Sequence, residues 1–67
     1  MGWRLRAQLD GHVEVVDLDA DNEIDATTQG AFVIAARAAT SALWANGRVD
    51  LLDPDGRVVE TMDPHPS

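Results

Sequence analysis

Along the first strand-like stretch, apolar and polar side chains alternate. Trp3, Leu5, Ala7 and Leu9 fall on one side, and Arg4, Arg6 and Gln8 on the other. A period of two predicts a strand with one face buried. Asp10-Gly11 supplies what a tight hairpin requires, because both central positions of a type I′ turn have positive φ. His12 to Leu18 is the returning strand. The turn sets the register: Leu5 opposite Val16, Trp3 opposite Leu18, and Arg4 opposite Asp17 as an outer ion pair. The same alternation recurs from Arg48 to Leu52, with Val49 and Leu51 on one side. Asp53-Pro54-Asp55-Gly56 reads as a type I turn with glycine in the left-handed position. With a bulge, it pairs Leu51 with Val59 and Val49 with Thr61, and Arg57 to Met62 is the last strand.

Between the two hairpins, Thr27 to Asn46 predicts a single helix of about twenty residues, roughly 30 Å long. Thr27 or Thr28 serves as its cap, and Asn46-Gly47 ends it. At about 100° per residue, Phe32, Ala35, Ala36, Ala39, Ala42 and Leu43 share one face. This alanine-rich surface suits close packing on a sheet. The other face carries Val33, Ile34, Ala38, Trp44 and Ala45, with Arg37, Thr40 and Ser41 among them. Arg37 is the only charge in the segment. A helix that is apolar all round is usually covered on both sides. The expectation is a homodimer interface at Val33, Ile34, Arg37, Ser41 and Trp44, with the indole as anchor. Scattered surface hydrophobes are the plainer alternative.

The fold class expected is α+β: two β-hairpins flanking a single long helix, with an antiparallel sheet packed on it. Glu23 to Ala26 is read as a short third strand, giving ββ(β)αββ. Residues 1–62 form one domain, and Asp63-Pro64-His65-Pro66-Ser67 a flexible C-terminal tail.

Charge adds a second feature. The net charge is −7, from twelve acids against five bases, all of them arginine. The absence of lysine suggests a GC-rich bacterial or phage genome. So acidic a chain argues against direct nucleic-acid or anionic-membrane binding, which need clustered positive charge, and favours a protein partner with a basic surface. Five acids stand at every second position: Asp17, Asp19, Asp21, Glu23 and Asp25. This run is the candidate partner-binding segment, with solubility as its alternative role. No cysteine is present, no apolar run is long enough to span a membrane, and no signal peptide opens the chain, so the expected location is the cytoplasm.

Catalytic constellations are not apparent, and the expectation is a non-enzymatic protein without cofactor or metal. Asp17, Asp19 and Asp21 match the first ligand positions of a calcium loop. However, Asn22 replaces its glycine and Thr28 its closing glutamate, which leaves only weak calcium binding as a third reading. His12 lies beside a turn and His65 in the tail. No Ser–His or phosphate-loop pattern occurs, and so small a chain encloses little water-free space.

Four short motifs resemble a family of small bacterial proteins of unknown function. They are Gly2-Trp3 opening a strand, Thr28-Gln29 near a helix start, Ala35-Ala36-Arg37 within that helix, and Asp55-Gly56-Arg57-Val58 in a closing hairpin. The acidic insertion and Phe32-Val33-Ile34 depart from that family's pattern. The resemblance implies a fold and no activity. The chain also looks somewhat like a HicB-type antitoxin domain, in which a short sheet leads through a Thr-Gln segment into one helix. That resemblance implies a toxin partner, although no separate DNA-binding helix pair is visible. The functional expectation is therefore a small, acidic, homodimeric protein–protein interaction module. The alternative is an acidic inhibitor that blocks a basic, nucleic-acid-binding surface.

Overall fold

A computed structural model of the chain describes residues 2–62; the expected tail, 63–67, lies outside them. The elements in order are β1 (Arg4–Leu9), β2 (His12–Asp17), α1 (Glu23–Ala38), α2 (Ala42–Asn46), β3 (Arg48–Leu52) and β4 (Val58–Thr61). The four strands make one antiparallel sheet in the order β2-β1-β3-β4. The α+β class with an antiparallel sheet is as expected. The single helix and the third strand are not.

The first hairpin follows its sequence signals. Asp10 and Gly11 have φ of 49° and 84°, and Leu5 pairs with Val16 and Arg4 with Asp17. The Leu18 amide donates to the Trp3 carbonyl at 2.8 Å. In the second hairpin Gly56 has φ 87°, but the register differs from expectation. Leu52 pairs with Val58, whereas Leu51 pairs with Glu60 and Asp50 with Thr61. Val59 is the extra residue of a bulge, so beyond it every β4 side chain lies on the opposite face from the one expected.

Glu23 to Ala26 is the first turn of α1. Asn22, whose extended backbone precedes the helix, accepts a hydrogen bond from the Asp25 amide through its side chain at 2.9 Å. Asn22 is thus the N-cap, and Glu23 and Asp25 sit where the helix dipole favours negative charge. Thr27 and Thr28 lie one turn further in, where Thr28 Oγ1 donates to the Ile24 carbonyl at 3.1 Å instead of capping. At the other end the helix breaks after Ala38, and Ser41 takes an extended conformation before α2. Gly47 ends α2 with φ −80°, not left-handed. Glycine is required there because an added Cβ would collide with the carbonyl oxygens of Leu43 and Gln8.

The core lies between the helices and one face of the sheet. Leu5, Ala7, Val49 and Leu51 are fully buried there with Trp44, joined by Leu18, Ala26 and Ile34. Gly30 brings α1 close to the sheet, and a Cβ there would stand 3.2 Å from Leu5 and Met62. Trp3, Val16, Val33, Leu43 and Met62 pack around this centre.

Candidate interaction surfaces

The two faces of the helical segment are exchanged relative to expectation. Trp44 is 0% exposed and Ile34 8%, while Val33 packs against the core. The stripe expected to face outward therefore faces the sheet. Larger side chains remove more apolar area from water than alanines do, and the break at Ala39–Ser41 lets α2 turn Trp44 inward. Its Nε1 donates to Glu14 Oε1 at 3.0 Å. Arg37 Nη1 reaches the same oxygen at 3.3 Å, and its guanidinium lies 5.4 Å from the indole centroid. Arg37 thus closes the edge of the core over β2, and Ser41 is the half-buried N-cap of α2.

What faces water is most of the side expected to pack, with Leu43 as the exception that turns to the core. Ile24 is 79% and Phe32 73% exposed, and Ala31, Ala35, Ala36 and Ala39 are exposed with them. At about 100° per residue, Ile24, Thr28, Ala31, Phe32, Ala35 and Ala39 lie within one sector of about 100°. Thr28 is the only polar residue among these six.

Asp17 ends the edge strand β2, and the rest of the acidic run leads into the first turn of α1 and forms no strand of its own. Asp17 pairs with Arg4 at 3.1 Å, and both are exposed. Asp19 and Asp21 lie exposed between β2 and the helix, and the Asp19 carbonyl accepts a hydrogen bond from Gln29 Nε2. Glu23 and Asp25 occupy the first turn. Among the described residues no three His, Cys, Asp or Glu side chains come together as a metal-ligand group, so Asp17, Asp19 and Asp21 do not converge as a calcium loop would. Among the described residues, too, no helix is long and apolar enough to cross a membrane.

The open face of the sheet carries a feature the sequence reading missed. Asp50 on β3 is 0% exposed although it lies on the side of the sheet away from α1 and α2, the two helices among the described residues. Arg6 on β1 and Thr61 on β4 are its cross-strand partners. Arg48 Nε donates at 3.0 Å, Arg6 Nη2 at 3.2 Å and Thr61 Oγ1 at 3.1 Å. Burial pushes the Asp50 carboxyl up, but hydrogen bonds from Arg48, Arg6 and Thr61 and the charge of Arg48 outweigh it. The net effect holds the group below its ordinary value. Arg6 Nε is buried with no hydrogen-bond partner among the described residues. A carboxylate among Val49, Leu51 and Leu52 was the available signal, but reading it required the β1–β3 register. Val13, Val15 and Val58 stand exposed around this network.

Finally, a groove of about 450 Å³ runs between α1 and β4, lined by Ala31, Ile34, Ala35, Ala38, Glu60, Thr61 and Met62. Neither a family model, nor a curated protein, nor a solved structure matches this chain.

Proposed function

We propose that this protein is a small, non-enzymatic protein–protein interaction module that self-associates through the outer face of α1. The observation that carries the reading is the exposed apolar sector from Ile24 to Ala39. Large exposed apolar surfaces on small domains mark association sites. The sector is also suited to a two-fold partner. Ile24 and Phe32 stand four residues to either side of Thr28, so antiparallel helices crossing there place Ile24 of each copy on Phe32 of the other. Small residues between them permit close approach, and a two-fold interface requires this kind of self-complementarity. Phe32→Glu tests it, because Phe32 contributes little to the core. Light scattering coupled to size exclusion should report a dimer for the unaltered chain and a folded monomer for the variant. A monomer for the unaltered chain at high concentration would refute the reading.

A second reading is an inhibitor that covers a basic, nucleic-acid-binding surface, in the manner of an acidic antitoxin. It is favoured by Asp19, Asp21 and Glu23, which are exposed and form no ion pair among the described residues. Slower, less salt-dependent association of an Asp19→Asn, Asp21→Asn, Glu23→Gln variant with such a partner would support it.

A further inference from the structure

The groove between α1 and β4 has two properties that α1's outer face lacks: a free strand edge and an unneutralised charge. β4 is the last strand of the sheet, so alternate N–H and C=O groups along it point away from β3. Its four residues are all exposed. Glu60 pairs with Leu51, whose side chain is fully buried on the helix side. Glu60 therefore lies on that side too, within the groove. Among the described residues its side chain accepts one long hydrogen bond, from Thr27 Oγ1, 3.4 Å to Oε2. None of the ion pairs among the described residues involves it. Apart from Glu60 and Thr61 on β4 the lining residues are apolar, and three alanines hollow out the helix side.

We infer that this groove takes an extended segment of a partner protein, which adds to the sheet beside β4, inserts alternate apolar side chains against Ala31, Ala35 and Ala38, and presents an arginine or lysine to Glu60. Strand addition supplies affinity through main-chain hydrogen bonds and specificity through pockets for every second side chain. The alternation follows because every second residue of an added strand points to the helix side.

Glu60 also selects the class of occupant. If β4 of a second copy paired antiparallel with the same sheet face shared, both Glu60 carboxylates would lie on the helix side of a short joined edge. Like charges so placed are destabilising. An inward-pointing charge and a bulge are both devices that discourage indiscriminate edge pairing, and β4 has both. A basic strand satisfies the carboxylate that repels a second copy. The opposite edge, β2, offers no such charge, because Glu14 is already held by Trp44 and Arg37.

The inference rests on the protein being an interaction module but not on its self-association, and the two can be tested separately. A library of random peptides displayed on phage is selected against the immobilised full chain and, in parallel, against the Phe32→Glu chain. Enriched peptides are then synthesised and their affinity measured by fluorescence polarisation. The expected peptides alternate apolar residues with at least one Arg or Lys, and are the same on both chains. Ala35→Trp, made in the Phe32→Glu chain because Ala35 also belongs to the outer sector of α1, fills the groove and should weaken them tenfold or more. Glu60→Lys, on an exposed side chain, should do the same and enrich acidic peptides instead when used as bait. The inference is overturned if no peptide is enriched, if the enriched peptides lack a basic residue, if they reproduce this chain's own Val58–Thr61, or if neither substitution in a folded chain changes their affinity.

Discussion

Replacing Asp50 by asparagine keeps the shape of the side chain and removes its charge. The carboxylate is fully buried and accepts from Arg48, Arg6 and Thr61. A hydrogen bond to a charged group contributes about 1.5–3 kcal/mol, and breaking a buried pair costs about 3–5 kcal/mol. Both figures must be reduced here, because the Arg48 and Arg6 side chains are 64% and 34% exposed and water screens exposed pairs. Asparagine also retains one acceptor. The expected loss for Asp50→Asn is therefore about 1.5–2.5 kcal/mol. For Asp17→Asn, which breaks the exposed pair with Arg4, it is about 0–0.5 kcal/mol. Urea unfolding followed by tryptophan fluorescence reads both, since Trp44 passes from core to water. The pH dependence follows from the lowered folded-state value of Asp50. Its contribution is fully present above the ordinary unfolded value of about 3.9. It is lost as pH falls through the folded value, as the charged, hydrogen-bonded carboxylate is protonated. The gap between wild type and Asp50→Asn should thus be constant above about pH 5 and narrow below about pH 4. An Asp50→Asn loss no larger than that of Asp17→Asn, or a gap that widens in acid, would show that the network does not hold the open face together.

Four further substitutions examine other parts of the fold. Gly47→Ala should destabilise by about 2 kcal/mol or more, because its Cβ meets two backbone carbonyls that cannot yield as a side chain can; an unchanged urea midpoint would contradict this. Gly56→Val should cost about 1 kcal/mol or more, since a β-branched residue is strained at a φ of 87°, and coincident thermal melts would count against the turn. Trp44→Phe removes the indole donor to Glu14 and should cost about 1–2 kcal/mol. Pairing it with Glu14→Gln should give less than the sum of the separate losses if the two side chains are coupled as the geometry indicates.

The parts of this fold governed by turn chemistry and strand alternation were legible in the chain. Asp10-Gly11 dictated the first register residue by residue, down to the Arg4–Asp17 pair, because a two-residue turn leaves no slack. The second turn and a bulge beside it were equally legible, but the register shift at Val59 was not. Val59 is no different in type from Val58, and only the pairing of Thr61 with Asp50 shows why the extra residue is accommodated. The helix was misplaced for two local reasons. Asn22 competes with Thr27 and Thr28 as a cap, and an acidic stretch that alternates like a strand suits a first helical turn equally well. The exchange of faces came from a real degeneracy. With Phe32 and Ile24 on one side and Ile34 and Trp44 on the other, both faces are apolar. The choice between them was made by the break at Ser41, which carries no distinctive breaker residue. The acidic run loses some of its functional force in the same step, because Glu23 and Asp25 at the helix N-terminus contribute to the fold.

The sign of a salt dependence separates self-association from binding to a basic partner. Each copy carries a net charge of −7, so two copies repel at long range even when their α1 faces attract at contact. The screening length falls from about 30 Å at 0.01 M salt to about 8 Å at 0.15 M. Self-association through the apolar sector should therefore tighten over that range. Neutralising Asp19, Asp21 and Glu23 together should have the same effect without added salt, since three charges near Ile24 are removed from each copy. A partner with a basic surface responds in the opposite sense. Its association slows as salt screens the attraction, and slows again in the triple variant. Sedimentation equilibrium at several salt concentrations measures the first effect. Self-association that weakens with salt would mean that ionic contacts hold the copies together, and α1's apolar sector would then lose its place as the basis of the dimer.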